Sequence, residues 1–251
     1  MQAQEVILIT GAARRVGAAL ARRLARAGYS LVRHCREARR SEASALAEEL
    51  GGEACARIVS GELAERGCAA RLFAAAENAF GAPVGILVNN ASVYHRRNLL
   101  DASEEELLTD FQVNFLAPFA LMREFAKRGR GGHIINLLDA RIGKCDADSM
   151  GYTIAKEALA SATRTCALAW AAQGIRVNGI APGFVLPPDG VPAERMQPLL
   201  QRLPLRRRTT EEEVADALLF LLQCPSVTGE ILYLDSGLHL PTYPVPEKKG
   251  G

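Results

Sequence analysis

No stretch of this sequence approaches the roughly 20 consecutive apolar residues needed to cross a bilayer, so no membrane span is expected. Nor does a basic segment followed by an apolar one open the chain. It runs almost at once into the strand-like Glu5 to Thr10, and no secretory signal is expected. A strong charge of either sign is missing too: 30 Lys and Arg against 28 Asp and Glu leave a net +2. Arg22, Arg23, Arg26, Arg39 and Arg40 lie among alanine-rich and acidic stretches, as solvated helix faces do. Without a basic arm or an aromatic-basic stripe, nucleic acid is not an expected partner. The cysteines (Cys35, Cys55, Cys68, Cys145, Cys166 and Cys224) form no CxxC pair and no Cys/His cluster at zinc spacing. No metal and no disulfide framework are therefore expected, and a reducing cytoplasm is the simpler home. No linker, repeat or low-complexity segment divides the chain, which reads as one domain over residues 1–251.

What is present is an alternation. Short β-like runs (Val6 to Thr10, Ser30 to His34, Ala54 to Ser60, Val84 to Asn90, His133 to Leu138, Ile175 to Ala181 and Glu230 to Asp235) are separated by helix-like stretches. These stretches include the first helix, ending at Gly28, Ser41 to Leu50, the region of Glu65 to Phe80, Glu104 to Lys127 and Met150 to Gln173. That rhythm predicts an α/β fold: a single Rossmann-type domain with a doubly wound, parallel, seven-stranded sheet and helices on both faces. The Pro-rich segment 182–204 is expected to be a substrate loop over the site, and 241–251 a frayed or extended tail.

Thr10 to Gly17, TGAARRVG, joins the first strand to the first helix. Gly11 permits a tight turn, the following helix offers its N-terminal amides to an anion, and Gly17 allows close packing on the sheet. Further on stand NNAS (Asn89 to Ser92), YTIAK (Tyr152 to Lys156) and APG (Ala181 to Gly183). In order and spacing, these four motifs resemble those of the short-chain dehydrogenases/reductases, over essentially the whole chain. The resemblance implies that Gly11, Arg14, Arg15, Val16, Gly17, His34, Arg36, Asn89, Ala91, Lys156, Pro182 and Gly183 bind a nicotinamide cofactor. Members preferring NAD usually place an acid at the end of the second strand. Here Arg33, His34, Cys35 and Arg36 stand there. Arg14 and Arg36 are placed to meet a 2′-phosphate, which favours NADPH/NADP, whereas Arg33 reads as an ordinary surface arginine.

Tyr152 and Lys156, four residues apart on a helix, share one face, and an ammonium there is expected to lower the phenol's pKa toward the working range. By resemblance Tyr152 donates the proton, Lys156 tunes it and holds the nicotinamide ribose, and Asn114 orders a water in the relay. Most members carry a serine thirteen residues before the tyrosine, and this chain has Asp139. A carboxylate suits a substrate with a basic ring nitrogen and N–H donors. Together with Arg15, Ser92 and Tyr94, this departure resembles the pteridine and dihydromonapterin reductases, and implies a pterin held by Arg15, Ser92, Tyr94, Asp139 and Tyr152. The bland readings are a helix N-cap for Asp139, a surface side chain for Arg15 and a loop anchor for Tyr94. Glu62 and Gly85 depart from the family pattern near the adenine. A carbonyl reductase, for example of 3-oxoacyl thioesters, is the alternative. A non-catalytic dinucleotide sensor is the third reading, and the intact Tyr152, Lys156 and Asn114 speak against it. The resemblance further implies a homotetramer.

Overall fold

A computed structural model describes residues 5–52, 55–97, 100–144, 146–187 and 192–240. The expected tail 241–251, residues 188–191 of the expected loop, the Ala54 start of the third strand and Cys145 lie outside the described residues. Val6–Ile9 (β1), Ser30–Cys35 (β2), Ala56–Ser60 (β3), Val84–Asn89 (β4), Gly132–Leu137 (β5), Ile175–Pro182 (β6) and Ile231–Leu234 (β7) form one seven-stranded sheet. Its order is β3-β2-β1-β4-β5-β6-β7, with every pairing parallel. Eight helices are described: Arg15–Arg26 (α1), Arg40–Glu49 (α2), Cys68–Phe80 (α3), Glu104–Phe111 (α4), Ala117–Lys127 (α5), Met150–Trp170 (α6), Gln197–Leu200 (α7) and Glu211–Gln223 (α8).

Strand alternation sends Val6 and Leu8 to one face, where they pack with Phe73, Leu121, Phe125 and Leu159 of α3, α5 and α6. Ile7 and Ile9 face the other way, toward Leu20, Leu24, Leu46 and Leu218 of α1, α2 and α8. The expected doubly wound architecture is therefore the observed one. Because β1 has β2 on one side and β4 on the other, the connections diverge at the C-terminal ends of β1 and β4, where such sheets open a crevice. No helix among the described residues is long and apolar enough to cross a membrane.

Two details were not legible in the sequence. The stretch Glu104 to Lys127 is helical throughout, as expected, but a π-helical turn, Gln112–Leu116, separates α4 from α5. Pro118 at the start of α5 has no N–H for the regular ladder, which favours an interruption just before it. Arg33, expected on the surface, is fully buried, because β2 runs on to Cys35 and pairs on both sides. Its guanidinium donates to the Ala43 carbonyl in α2 at 2.8 Å, and burial lowers its pKa.

Candidate active site

The turn after β1 is built by glycine. Gly11 sits at φ +65°, and a Cβ there would lie 2.8 Å from the Ala91 Cα, so only glycine lets the turn rest against the end of β4. A Cβ on Gly17 would fall 2.3 Å from the Gly11 carbonyl oxygen. Asn90, which sequence reasoning passed over, braces this corner: its Nδ2 donates to the carbonyls of Thr10 at 2.9 Å and Gly11 at 3.0 Å. The Thr10 hydroxyl accepts from the Asn90 and Ala91 amides, both at 3.0 Å. Whereas α4 and α8 begin with capping boxes, α1 has neither a side-chain cap nor an acid in its first turn. With no acid of its own in that turn, the positive end of its dipole favours an anion there.

The expected cofactor residues divide into two groups. Arg14, Arg15 and Arg36 are exposed around the turn and the end of β2, with Val16 half-buried beside them. Ala91 closes the β4 side of the turn, while Gly183, at the end of β6, could not carry a Cβ without meeting the Asp235 Cα at 2.9 Å. Pro182 ends β6, and its carbonyl accepts from the Ala140 amide at 2.9 Å, which ties β6 to the segment carrying Asp139. Two others lie underneath. His34 is buried: its Nδ1 accepts from the Gly11 amide at 3.4 Å and its Nε2 donates to the Gly61 carbonyl at 2.9 Å. Asn89 is buried as well and donates to the Asn136 side chain at 2.8 Å. Both shape the corner from below. Arg15 adopts φ +52°, and its guanidinium donates to the Pro187 carbonyl at 3.1 Å, which joins the turn to the loop after β6.

On the other side of the switch point, Asp139 and Tyr152 meet. The Tyr152 hydroxyl donates to Asp139 Oδ2 at 2.8 Å. The Asp139 Oδ1 accepts from the Arg141 amide at 2.8 Å, an Asx-turn that reverses the chain just past β5. Asp139 is thus a turn former at a strand end and not the helix N-cap of its bland reading, since Ser149 stands at the N-cap of α6. The Arg141 side chain then folds back: Nε meets Oδ1 at 3.0 Å and Nη2 meets Oδ2 at 3.0 Å, a bidentate pair. Its Nη1 donates to the Tyr94 hydroxyl at 3.1 Å and to Asp146 Oδ2 at 3.1 Å. Burial works against the Arg141 charge, but Asp139 more than offsets it, and its pKa is raised. Sequence reasoning missed Arg141. The Asp-x-Arg spacing after a strand was its one signal.

Tyr94 and Tyr152 stand edge to face, with ring centroids 5.1 Å apart. The loop holding Tyr94 is tied down by one histidine–carboxylate hydrogen bond and two salt bridges. His95 bonds Asp110 at 2.6 Å, Arg97 bonds Glu106 at 2.8 Å, and Arg96 pairs with Asp148. Gly151 leaves room for this anchor, since a Cβ there would be 2.8 Å from Asp110 Oδ2. The π turn points Asn114 at the same loop. Its Oδ1 accepts from the Ser92 hydroxyl at 2.7 Å and the Val93 amide at 3.1 Å, and its Nδ2 donates to the Val93 carbonyl at 3.0 Å. These bonds hold the segment leading to Tyr94.

The expected acidity of the phenol is corrected. Lys156 is buried, donates to the Leu137 carbonyl at 2.7 Å, and lies 5.8 Å from the Tyr152 ring centroid without bonding its hydroxyl. Burial first, and then the charge of Asp139, push the Tyr152 pKa well above its ordinary 10, so the group is a neutral phenol. Burial also pulls Lys156 from an ordinary 10.5 down to about 8, against the attraction of Asp139. Between those two values the unfolded chain holds more protons than the folded one. The destabilisation by Lys156, in full force below pH 8, is therefore relieved as the pH climbs from about 8 toward 10.5. The relief amounts to about 3 kcal/mol at its limit. Chemical denaturation of wild type and Lys156→Met across that window checks it: wild type should gain stability relative to the variant. A difference that does not change with pH refutes it.

Comparison with known proteins agrees with this geometry. The family model described as enoyl-(acyl carrier protein) reductase matches residues 11–239. Pteridine reductase 1 of Leishmania tarentolae is 29% identical, the match covering 94% of this chain and 96% of that protein. A 3-oxoacyl-[acyl-carrier-protein] reductase of Rattus norvegicus is 32% identical over 94% of this chain and 98% of its own length. Among solved structures, FolM alternative dihydrofolate reductase 1 of Brucella canis, complexed with NADP, superposes with a TM-score of 0.89. Its sequence identity is 31%, over 99% of this chain and 98% of that one. A glycine-built anion turn and a buried Tyr-Lys pair facing each other across a parallel-sheet switch point, with a family match over nearly the full length, make this chain an oxidoreductase of the short-chain dehydrogenase/reductase family.

Proposed function

We propose that the protein is an NADPH-dependent reductase of a pterin or dihydropterin. The observation that carries this reading is Asp139, bonded by the Tyr152 hydroxyl at 2.8 Å where a ketone-reducing site would hold a serine. The similarity to pteridine reductase 1 and to the FolM reductase supports it.

The residues present fit the cofactor. The uncapped start of α1 suits a pyrophosphate, and the close approach of Gly11 to Ala91 leaves backbone, not side chain, facing it. No carboxylate ends β2: Cys35 and Arg36 stand there, and the first acid, Glu37, pairs with Arg40 at 3.7 Å. Arg36 and Arg14 are the groups for a 2′-phosphate. NADPH supplies the hydride when bound. Charge-assisted bonds to that phosphate predict a kcat/KM with NADPH at least about tenfold above that with NADH. Equal use of the two in steady-state assays overturns the preference.

The side chains do the rest. Tyr94 offers a flat face to a heteroaromatic ring, and Asp139 accepts from its N–H donors. Tyr152, neutral at working pH, gives its proton to the ring nitrogen beside the reduced carbon. The phenolate left behind is stabilised by the buried Lys156 ammonium, whose nitrogen lies 5.8 Å from the ring centroid. Asn114 keeps Ser92 and Tyr94 in register.

Reduction of 3-oxoacyl thioesters is the second reading, favoured by the rat relative and by the intact Tyr152, Lys156 and Asn114. Initial rates with dihydrobiopterin and with an acetoacetyl thioester, side by side with NADPH, decide. Faster thioester turnover overturns the pterin reading, and NADPH binding without turnover of any substrate favours the sensor. A homotetramer is proposed with the same enzyme. Leu108 and Leu168, 61% and 84% exposed on α4 and α6, are the apolar groups such an assembly would cover, and light scattering tests it.

A further inference from the structure

We propose that Arg141 is a displaceable internal ligand of this pocket, covering the Asp139 carboxylate and the Tyr94 face until a planar heterocycle with an N–C–N donor edge takes its place. The inference rests on the pocket assigned above and names the chemistry that pocket selects. Arg141 sets two parallel donors, Nε and Nη2, on the two Asp139 oxygens, each at 3.0 Å. Its guanidinium carbon lies 4.8 Å from the centroid of the Tyr94 ring. A flat frame, a carbon between two N–H groups, a carboxylate ahead and an aromatic face alongside also describe the edge of an amidinium, or of a 2-aminopyrimidine with a proton on the adjacent ring nitrogen, in the same position.

The carboxylate has no acceptor to spare. Its Oδ1 takes the Arg141 amide and Nε, and its Oδ2 takes Arg141 Nη2 and the Tyr152 hydroxyl. That fills the roughly four lone-pair sites of a carboxylate, so an incoming donor pair must replace one already there. Tyr152 is buried on α6 and cannot withdraw without moving the helix. The Arg141 side chain is 29% exposed on a turn, and its Nη1 already reaches Asp146 Oδ2 at 3.1 Å and the Ser149 hydroxyl at 3.4 Å. On leaving Asp139, the guanidinium keeps a carboxylate partner. Ketones and thioesters carry no such donor pair, do not displace Arg141, and find Asp139 covered. Arg141 is in this sense a specificity-determining residue.

The test titrates NADPH-loaded protein with 2,4-diaminopyrimidine by calorimetry, in wild type, Arg141→Met and Asp139→Asn. Removing the competitor should tighten binding of the probe about tenfold or more. The Asp139→Asn variant should bind it weakly. In Arg141→Ala, methylguanidine should compete with the probe by refilling the vacated place, an effect absent from wild type. Equal or weaker probe binding in Arg141→Met overturns the proposal and makes Arg141 a holder of Asp139 instead. If Arg141→Met fails to bind NADPH, Arg141→Lys replaces it: the charge stays near Asp146 but the parallel donors are lost, and the expected sign is the same. Probe binding needs no turnover. A protein that reduces no pterin yet gains affinity in Arg141→Met keeps this inference and loses the pterin one, and the opposite pair of results does the reverse.

Discussion

Replacing Tyr152 with phenylalanine should lower kcat by about 10²- to 10⁴-fold, the range that a positioned general acid contributes, with NADPH affinity nearly unchanged. The change deletes one oxygen and leaves a ring of the same shape packed edge to face with Tyr94, so the pocket keeps its form. What is lost is the O–H, held at 2.8 Å from Asp139. The lost hydroxyl also frees one acceptor on the carboxylate, so substrate affinity should not fall with the rate. Stopped-flow measurement of NADPH oxidation and a cofactor titration separate the two effects. A near-normal rate in the variant would remove Tyr152 from the chemistry and put the proton on another group.

The second large effect is expected at Asp139. Serine in its place should reduce kcat/KM for a dihydropterin by about 10²-fold or more, because the charged acceptor for ring N–H groups is gone. Turnover of a carbonyl substrate should appear or rise, since a hydroxyl can donate to a ketone oxygen. Stability should also drop, by about 1–2 kcal/mol, a typical cost of leaving a partly buried charged partner less well satisfied. The loss stays modest because Arg141 retains Asp146. Steady-state kinetics on both substrate classes, with a denaturation curve, read all three. Unchanged dihydropterin turnover in this variant would falsify the role given to the carboxylate.

Much of this protein is legible without coordinates. The sheet is, because strands buried on both faces must be apolar runs, and β1 is buried at every residue. The sharing of a face by Tyr152 and Lys156 is also legible, because helical periodicity places residues four apart together. Arg33 shows where such reading stops. An arginine in a strand reads as exposed unless it is known that β3 will pair outside β2 and α2 will close over it. His34 and Asn89 lie at motif positions, and only packing reveals that they support the turn from beneath.

The sequence alone determined the class of fold, the glycine turn and the chemical types brought to the site, because each depends on residue pattern and backbone freedom over short spans. Tertiary structure decided the rest. Arg141 meets Tyr94 across 47 positions of chain, Ser92 meets Asn114 across 22, and the Tyr152 hydroxyl turns to Asp139 instead of Lys156. Those outcomes depend on where the ends of β4 and β5 bring their loops and on how deeply the phenol and the ammonium are buried. Burial and long-range geometry set hydrogen-bond partners and proton affinities, and neither is a property of local spacing.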